Sequence, residues 1–211
     1  MISGQASAAL LWFTLSSSVA IANQPGFDVD SLLAALAREP PQSIAFTEIH
    51  SSALLDRELI VHGTLEYSGP GKLSRIITAP YEERIDIDGD SVRIHRADRP
   101  ERRFSLKRAP ELGGLLAGFA ALLGGDRAAV EREFELALAN GAAGWQLTLT
   151  PRSARARSRV IGIAVHGAGD SPACIVTLTK DSGTATELLL GAAATGSDIA
   201  EQRANHCTAL P

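Results

Sequence analysis

Alternation of apolar and polar residues with a period of two is the feature that most constrains how this chain can fold. Between residues 59 and 67, the odd positions are apolar or glycine and most even positions are polar. The alternation recurs in short runs from residue 44 to residue 106, with turn signals at 69–71 and 88–89. A sheet with one dry and one solvated face produces this pattern, and Asp-Gly between two such runs is a strong hairpin signal. The sequence therefore predicts a mainly antiparallel β-sheet.

Two segments have helical spacing instead. The first has four apolar residues on one helical stripe, Val29, Leu32, Leu33 and Leu36. Asp28 or Asp30 is its expected N-cap, and Pro40-Pro41 is expected to stop it. The second is predicted over 127–139 with Asp126 as its cap, because Val130, Phe134 and Leu138 share one stripe.

The β pattern returns after residue 144, in runs at 145–149, 160–165, 174–178 and 187–190. Regularly spaced strands with helical inserts favour an α+β fold that is mainly antiparallel β, in which a curved sheet or open barrel embraces helices. We expect one domain over 23–190. Residues 191–211 are rich in Ala, Thr, Gly and Ser, which predicts a C-terminal tail.

The first 22 residues contain no charged side chain and include an apolar run that ends with small residues at Ala20 and Ala22. This pattern is typical of a cleaved signal peptide and is too short and interrupted for a membrane span. The segment has no Lys or Arg near its start, so a retained N-terminal anchor or a misassigned start codon is the alternative. Export to the periplasm is the prediction.

Two cysteines, Cys174 and Cys207, are present. In an exported protein an even pair favours a disulfide, which here would attach the tail to a late strand. Two unrelated thiols are the alternative.

Composition excludes several classes of function. The net charge of −4 argues against nucleic acid as a partner, and the 5% aromatic content is poor for stacking bases or sugars. No nucleophile elbow, phosphate-binding glycine loop or metal-ligand spacing is found. We therefore expect no catalytic residues, no metal site and no cofactor, and the protein is predicted not to be an enzyme.

A glycine-laced apolar segment at 111–125 is the strongest functional candidate in the sequence. A helix that is apolar on every side must be buried or face an apolar ligand, and its five glycines reduce helix stability. A movable lid over a cavity explains that composition, and close helix–sheet packing is the alternative. The predicted lid residues are Leu115, Leu116, Phe119 and Leu122, and the predicted sheet lining is Phe46, Leu65, Leu73, Ile77 and Ile85.

Arg75 alternates with Leu73 and Ile77, which places a charge on a face that should be apolar. A buried guanidinium needs a partner, and Glu48, Glu66 or a ligand headgroup are the candidates. A register slip of one residue would instead place Arg75 in water.

Basic residues also cluster at 93–108 and at 152–159. They indicate either docking to an anionic membrane or partner, or simply a solvated sheet face.

The order of several short motifs resembles a known family. The motifs are Phe46-Thr-Glu48, Gly63-Thr-Leu-Glu-Tyr67, the Pro70 turn, Leu73-Ser-Arg75, Pro80, the Asp88-Gly89 hairpin, 125–128 and 145–151. This order is similar to the periplasmic outer-membrane lipoprotein carrier LolA, and more so to its divergent LolA-related branch, which is associated with export of aryl-polyene-type pigments or acyl lipids.

The resemblance implies an unclosed half-barrel around a helical lid. It also implies a monomer that carries acylated lipid or lipoprotein cargo from an inner-membrane donor to an outer-membrane acceptor without ATP. One position departs from the family. The carrier's lid-latching arginine precedes the turn proline, and this chain has Gly69 there. The same latch is therefore not expected, and lipoprotein cargo does not follow.

Two hypotheses result. In the first, the protein is a carrier that binds acyl chains between sheet and lid. In the second, it is a non-transporting envelope protein with the same fold and a filled core, and it docks a partner through its basic face.

Overall fold

An eleven-stranded antiparallel sheet organises the chain. The computed structural model describes residues 27–52, 55–108, 121–180 and 185–207. The strand order is β6-β5-β4-β3-β2-β1-β11-β10-β9-β8-β7, so β6 and β7 end the sheet and leave it unclosed. The strands are β1 Gln42–Ser51, β2 Leu59–Gly69, β3 Lys72–Ala79, β4 Glu83–Asp88, β5 Ser91–Arg96, β6 Arg99–Ser105, β7 Phe134–Gly141, β8 Gly144–Pro151, β9 Val160–Ala168, β10 Ser171–Thr179 and β11 Ala185–Leu190.

Register fixes which side chains share a side of the sheet. Arg75 lies opposite Leu65 on β2 and opposite Ile85 on β4, so all three side chains point to one side. Phe46 on β1 lies opposite Gly63 on the same side. The alternation in the sequence therefore assigned these faces without a one-residue slip, and the predicted antiparallel fold is confirmed.

Five helices and one 3₁₀ turn complete the described structure. They are α1 Val29–Leu36, α2 Arg127–Glu133, α3 Ala154–Arg157, α4 Ala192–Thr195, α5 Ile199–His206 and the turn Leu106–Arg108. Asp28 caps α1 and forms a reciprocal capping box with Ser31. Among the described residues, no helix is both long and apolar enough to cross a bilayer.

The helix predicted over 127–139 is wrong beyond Glu133. Asp126 caps α2 as expected, but Phe134 starts strand β7. The segment satisfies both periods, because Phe134 and Leu138 are also separated by two strand repeats with Leu136 between them. Pairing of Leu136 with Leu149 and of Leu138 with Leu147 decides the outcome in favour of the strand.

Helix α1 packs on one side of the sheet, which we call the inner face. Its residues Leu32, Leu33 and Leu36 are at most 3% exposed. They pack with Leu122, with Val130 of α2 and with the inner residues of β7 to β9. These inner residues are Phe134, Trp145, Leu147, Leu149, Val160, Ile163 and Val165. We call this helix-covered region the β7–β9 face, and it is the main hydrophobic core.

The opposite, outer face carries the two C-terminal helices, in the region where the sequence predicted a tail. Ala193 of α4 and Ile199 of α5 pack with Ile49 of β1 and Leu189 of β11. A disulfide joins Cys174 on β10 to Cys207 at the end of α5, across 33 residues. A loop of that length contributes about 3.7 kcal/mol through the entropy of the unfolded chain. The bridge therefore holds α5 against the sheet.

Candidate functional site: the inner face of strands β1 to β5

The inner side of β1 to β5, which we call the β1–β5 face, is apolar but incompletely packed. Phe46, Val61 and Ile77 are buried there in a small cluster whose members all belong to strands. Around this cluster, six aliphatic side chains on the same side are only half-buried, whereas Tyr67 and Val92 there are buried. The six are Ile44, Leu65, Leu73, Ile85, Ile87 and Ile94. The face thus presents an aliphatic strip across five strands, with Arg75 of β3 between Leu65 and Ile85.

The structure brings most of the predicted site residues together. The six that the sequence placed on the sheet share the β1–β5 face: Phe46, Leu65, Leu73, Arg75, Ile77 and Ile85. Leu122 is 5% exposed and lies with α1 in the core of the β7–β9 face. Leu115, Leu116 and Phe119 lie outside the described residues.

A glycine makes room for the ring at the centre of this face. A Cβ on Gly63 would lie 2.0 Å from the carbonyl oxygen of Ile76 and 2.7 Å from Cζ of Phe46. The Phe46 ring therefore lies directly over the backbone of β2. The guanidinium of Arg75 sits over the same ring, 4.9 Å from its centroid, in a cation–π arrangement. Ring and guanidinium together form the floor of the strip.

Arg75 also belongs to a polar chain on this apolar face. It pairs with Glu48, which is 12% exposed, and Glu48 accepts a second contact from Nε2 of His50 at 2.8 Å. Nδ1 of His50 lies 3.4 Å from the hydroxyl of Thr186 on β11. Of the partners expected for Arg75, Glu48 is therefore the one it has.

The environment of Glu48 favours its charged form. Burial alone would raise the pKa of Glu48, but the hydrogen bond from His50 and the charge of Arg75 outweigh it and hold that pKa below its ordinary value of 4.5. The charge of Arg75 is thus balanced at neutral pH. His50 was not among the predicted site residues, although it follows Phe46 and Glu48 in the period-two pattern.

This arrangement is suited to apolar binding. Removing aliphatic surface from water stabilises a complex by about 25 cal/mol per Å², without requiring polar specificity. Within the described residues, no group of three His, Cys, Asp or Glu side chains is placed to hold a metal ion. The polar chain supplies one fixed cation–carboxylate pair, whose cation lies within the strip and can orient a polar headgroup.

A separate cleft of about 770 Å³ lies on the outer face between α5 and strands β1 and β2. Its apolar wall includes Ile49, Ile60 and Ile199. Arg203 at its rim pairs with Glu58 at 2.8 Å and with Glu187. None of the predicted ligand-binding residues that the structure describes lines this cleft, so it is a second apolar location to be tested against the β1–β5 face.

Comparison with known families gives one match that covers nearly the whole chain. A family model described as "Outer membrane lipoprotein carrier protein LolA-like" matches residues 21–209. No curated protein matches the chain significantly.

Solved structures with a related arrangement share little sequence with this chain. A LolA superfamily protein from Nitrosomonas europaea is 12% identical with a TM-score of 0.44, over 79% of this chain and 92% of that one. A domain described as outer membrane lipoprotein-sorting, from Vibrio parahaemolyticus, is 12% identical with a TM-score of 0.45, over 84% and 95%. A chain of the MucA/MucB complex of Pseudomonas aeruginosa is 14% identical with a TM-score of 0.37, and the match covers 88% of this chain and 64% of that chain.

Proposed function

The chain belongs to the LolA-like family of outer membrane lipoprotein carrier proteins, and from that premise we propose that it is a periplasmic carrier of acylated cargo. The cargo's acyl chains bind on the β1–β5 face. The carrier takes them from an inner-membrane donor and delivers them to an outer-membrane acceptor, acting as a monomer.

The half-buried aliphatic strip is the observation that carries this proposal. On the β7–β9 face, α1 and α2 cover the apolar residues and Leu147 is fully buried. On the β1–β5 face, Leu65, Leu73 and Ile85 keep part of their surface exposed. Each acyl methylene buried there contributes about 0.8 kcal/mol. A chain laid along the strip would complete the packing that the strands begin.

The geometry of the turn before Pro70 bears on the cargo. Gly69 has φ of +130°, a backbone conformation that side-chain-bearing residues rarely adopt. An arginine latch at this position would be strained, which is consistent with a cargo other than a lipoprotein. We therefore propose acyl compounds in general as the cargo class. Arg75 within the strip is the residue proposed to orient their headgroup.

Export rests on two features. The uncharged segment 1–22 is proposed to be removed as a signal peptide, which leaves a carrier domain from residue 23. The Cys174–Cys207 disulfide fits an oxidising compartment such as the periplasm.

A second candidate function is a non-transporting envelope protein with a filled core. Burial of Phe46, Val61 and Ile77 at 2% exposure or less favours it, because these residues are already packed without a ligand. The two candidates differ in whether the half-buried residues around that cluster take up an acyl chain.

Displacement of a fluorescent fatty acid by unlabelled fatty acid separates the candidates. The Leu65→Asp variant places a charge on the strip and should weaken binding at least about tenfold, because an acyl chain laid there would have to displace water from the carboxylate. Ile76→Asp is the matched control, since Ile76 is a half-buried aliphatic residue on the outer side of β3.

Thermal melts test whether both variants fold. If Leu65→Asp does not fold, Leu65→Ala replaces it as a milder change at the same position. The carrier proposal is supported if the protein binds fatty acid saturably, if the Leu65 variants weaken that binding and if Ile76→Asp leaves it unchanged. The carrier proposal would be refuted, and the filled core favoured, if two results coincide. Native mass spectra of the purified protein show no bound lipid, and no fatty acid can be displaced from it.

A further inference from the structure

Strands β5 and β6 lie at one end of the sheet. Together with the 3₁₀ turn that follows them they form a strongly basic unit, which we call the basic hairpin (residues 91–108). It contains seven Lys and Arg against two Asp and Glu, a net charge of +5, whereas the remaining residues contain 13 against 22, a net charge of −9. Such segregation of charge is not required by a solvated sheet face, on which both signs normally mix. The basic hairpin is also the end of the sheet, and residues 99–104 of β6 are all exposed.

The register places like charges directly opposite one another within the basic hairpin. Arg93 of β5 faces Arg103 of β6 on the outer side, and Arg96 faces Arg99 on the inner side. Like charges directly opposite on paired strands are destabilising, and here this is offset in part because Arg96 pairs with Glu83, Arg103 with Glu101 and Arg99 with Asp98. Asp86 is the acid opposite Arg93, but it is engaged by Arg84 at 2.9 Å and by Ser74 at 2.6 Å.

An exposed aromatic residue lies among these charges. Phe104 is 38% exposed and lines a shallow cleft of about 350 Å³ together with Arg103 and Arg108. A ring beside two guanidinium groups is suited to the boundary between polar headgroups and acyl chains, where cations bind phosphate and the ring reaches the apolar layer.

We propose that the basic hairpin docks this protein on an anionic lipid bilayer surface. The guanidinium groups lie on both sides of a strand pair that ends the sheet, with Arg93 on the outer side and Arg102 on the inner side. A headgroup layer can surround such an edge from both sides, whereas a folded acidic protein would contact one side. Arginine also binds phosphate oxygens in a two-pronged geometry.

Docking through this edge would hold the aliphatic strip near the bilayer, because β5 contributes Ile94 to the strip and Arg93 to the hairpin. The inference goes beyond the proposed function, since a carrier can bind acyl chains without touching a membrane surface.

Co-sedimentation with vesicles tests the proposal. The full exported chain is mixed with vesicles of phosphatidylcholine containing phosphatidylglycerol, and with vesicles of phosphatidylcholine alone. We expect binding to the anionic vesicles only, weakening as salt rises because exposed charges are screened beyond about 10 Å at 0.1 M. The double variant R102E/R108E should bind anionic vesicles at least about tenfold more weakly.

The matched control is R132E/R155E, which makes the same charge change at exposed arginines outside the basic hairpin. Within the described part of the chain, none of these four arginines is in an ion pair, so neither double variant breaks one. Fatty-acid displacement by R102E/R108E should equal that of the unmodified protein, which separates this inference from the acyl-binding proposal. Equal weakening by both double variants, or equal binding to both vesicle types, would overturn the proposal. The proposal would also be overturned if the protein did not bind anionic vesicles, and that result would favour an acidic protein partner.

Discussion

The two halves of the inner face solve the same packing problem in different ways. Each half lays an aromatic ring over a glycine on a neighbouring strand, Trp145 over Gly167 and Phe46 over Gly63. The indole N–H of Trp145 donates to the carbonyl of Gly169 at 2.8 Å, and the ring is sealed into the core under α1. The Phe46 ring instead carries a guanidinium and is flanked by half-buried aliphatic residues. The first half is covered by α1, whereas the second keeps part of its aliphatic surface exposed.

Truncating one leucine in each half should show the largest difference. Leu147→Ala removes a fully buried side chain from the β7–β9 face and should lower the free energy of unfolding by about 3 kcal/mol. Leu65→Ala removes a half-buried one and should lower it by about 1 kcal/mol. Urea unfolding of the two variants measures both values. Equal losses would mean that the two halves are packed alike.

Substituting alanine for Gly63 and for Gly167 tests whether the Phe46 and Trp145 rings serve different purposes. A Cβ at position 167 would lie 2.4 Å from Cζ2 of Trp145, so both Gly167→Ala and Gly63→Ala should cost about 2 kcal/mol of stability through overpacking. Only Gly63→Ala should also weaken fatty-acid binding by the folded protein, because it displaces Phe46 from the strip. Denaturant melts and fluorescence titration separate the two effects. If Gly167→Ala also lowered the affinity for fatty acid, the proposed difference between the two halves would be contradicted.

Removing the carboxylate beside the strip should have an effect of similar size that depends on pH. Because the pKa of Glu48 is lowered in the folded protein, the charged carboxylate stabilises the fold above pH 4.5, and that contribution is lost as the pH falls through the lowered pKa. Glu48→Gln should therefore cost about 2 kcal/mol at pH 7 and progressively less below pH 4.5.

Glu135→Gln is the comparison for this prediction, because Glu135 pairs with Arg152 at the surface and is 61% exposed. An exposed pair of this kind contributes about 0.5 kcal/mol or less. Unfolding curves at several pH values measure both variants. A pH-independent loss in Glu48→Gln would contradict a stabilising charge at position 48.

The sequence was sufficient to predict the faces of β1 to β5 because one side of these strands is apolar and the other polar. A slip of one residue would have exposed Phe46 and Ile77, so the register was strongly specified. The same reasoning placed Arg75 on the inner side, where it pairs with Glu48. Periodicity alone could not separate helix from strand at 134–139, because the apolar spacing there satisfies both and pairing with β8 decides the outcome.

Other features depend on contacts that a single segment does not encode. Helix α5 has no buried residue of its own and is held to the outer face by packing and by the disulfide to Cys207, so its composition indicated a tail. The contact between His50 and Thr186 joins residues 136 positions apart, which only the β1–β11 pairing brings together.

The most direct test of the central claim is to locate bound acyl chain on the protein. A fatty acid carrying a photoreactive diazirine near its methyl end is bound, activated by light and mapped by peptide mass spectrometry, with unlabelled fatty acid as competitor. The account predicts competable labelling on the β1–β5 face, at residues such as Leu65, Leu73 and Ile85. Labelling confined to the outer cleft at Ile60 and Ile199, or labelling that the competitor does not reduce, would contradict it.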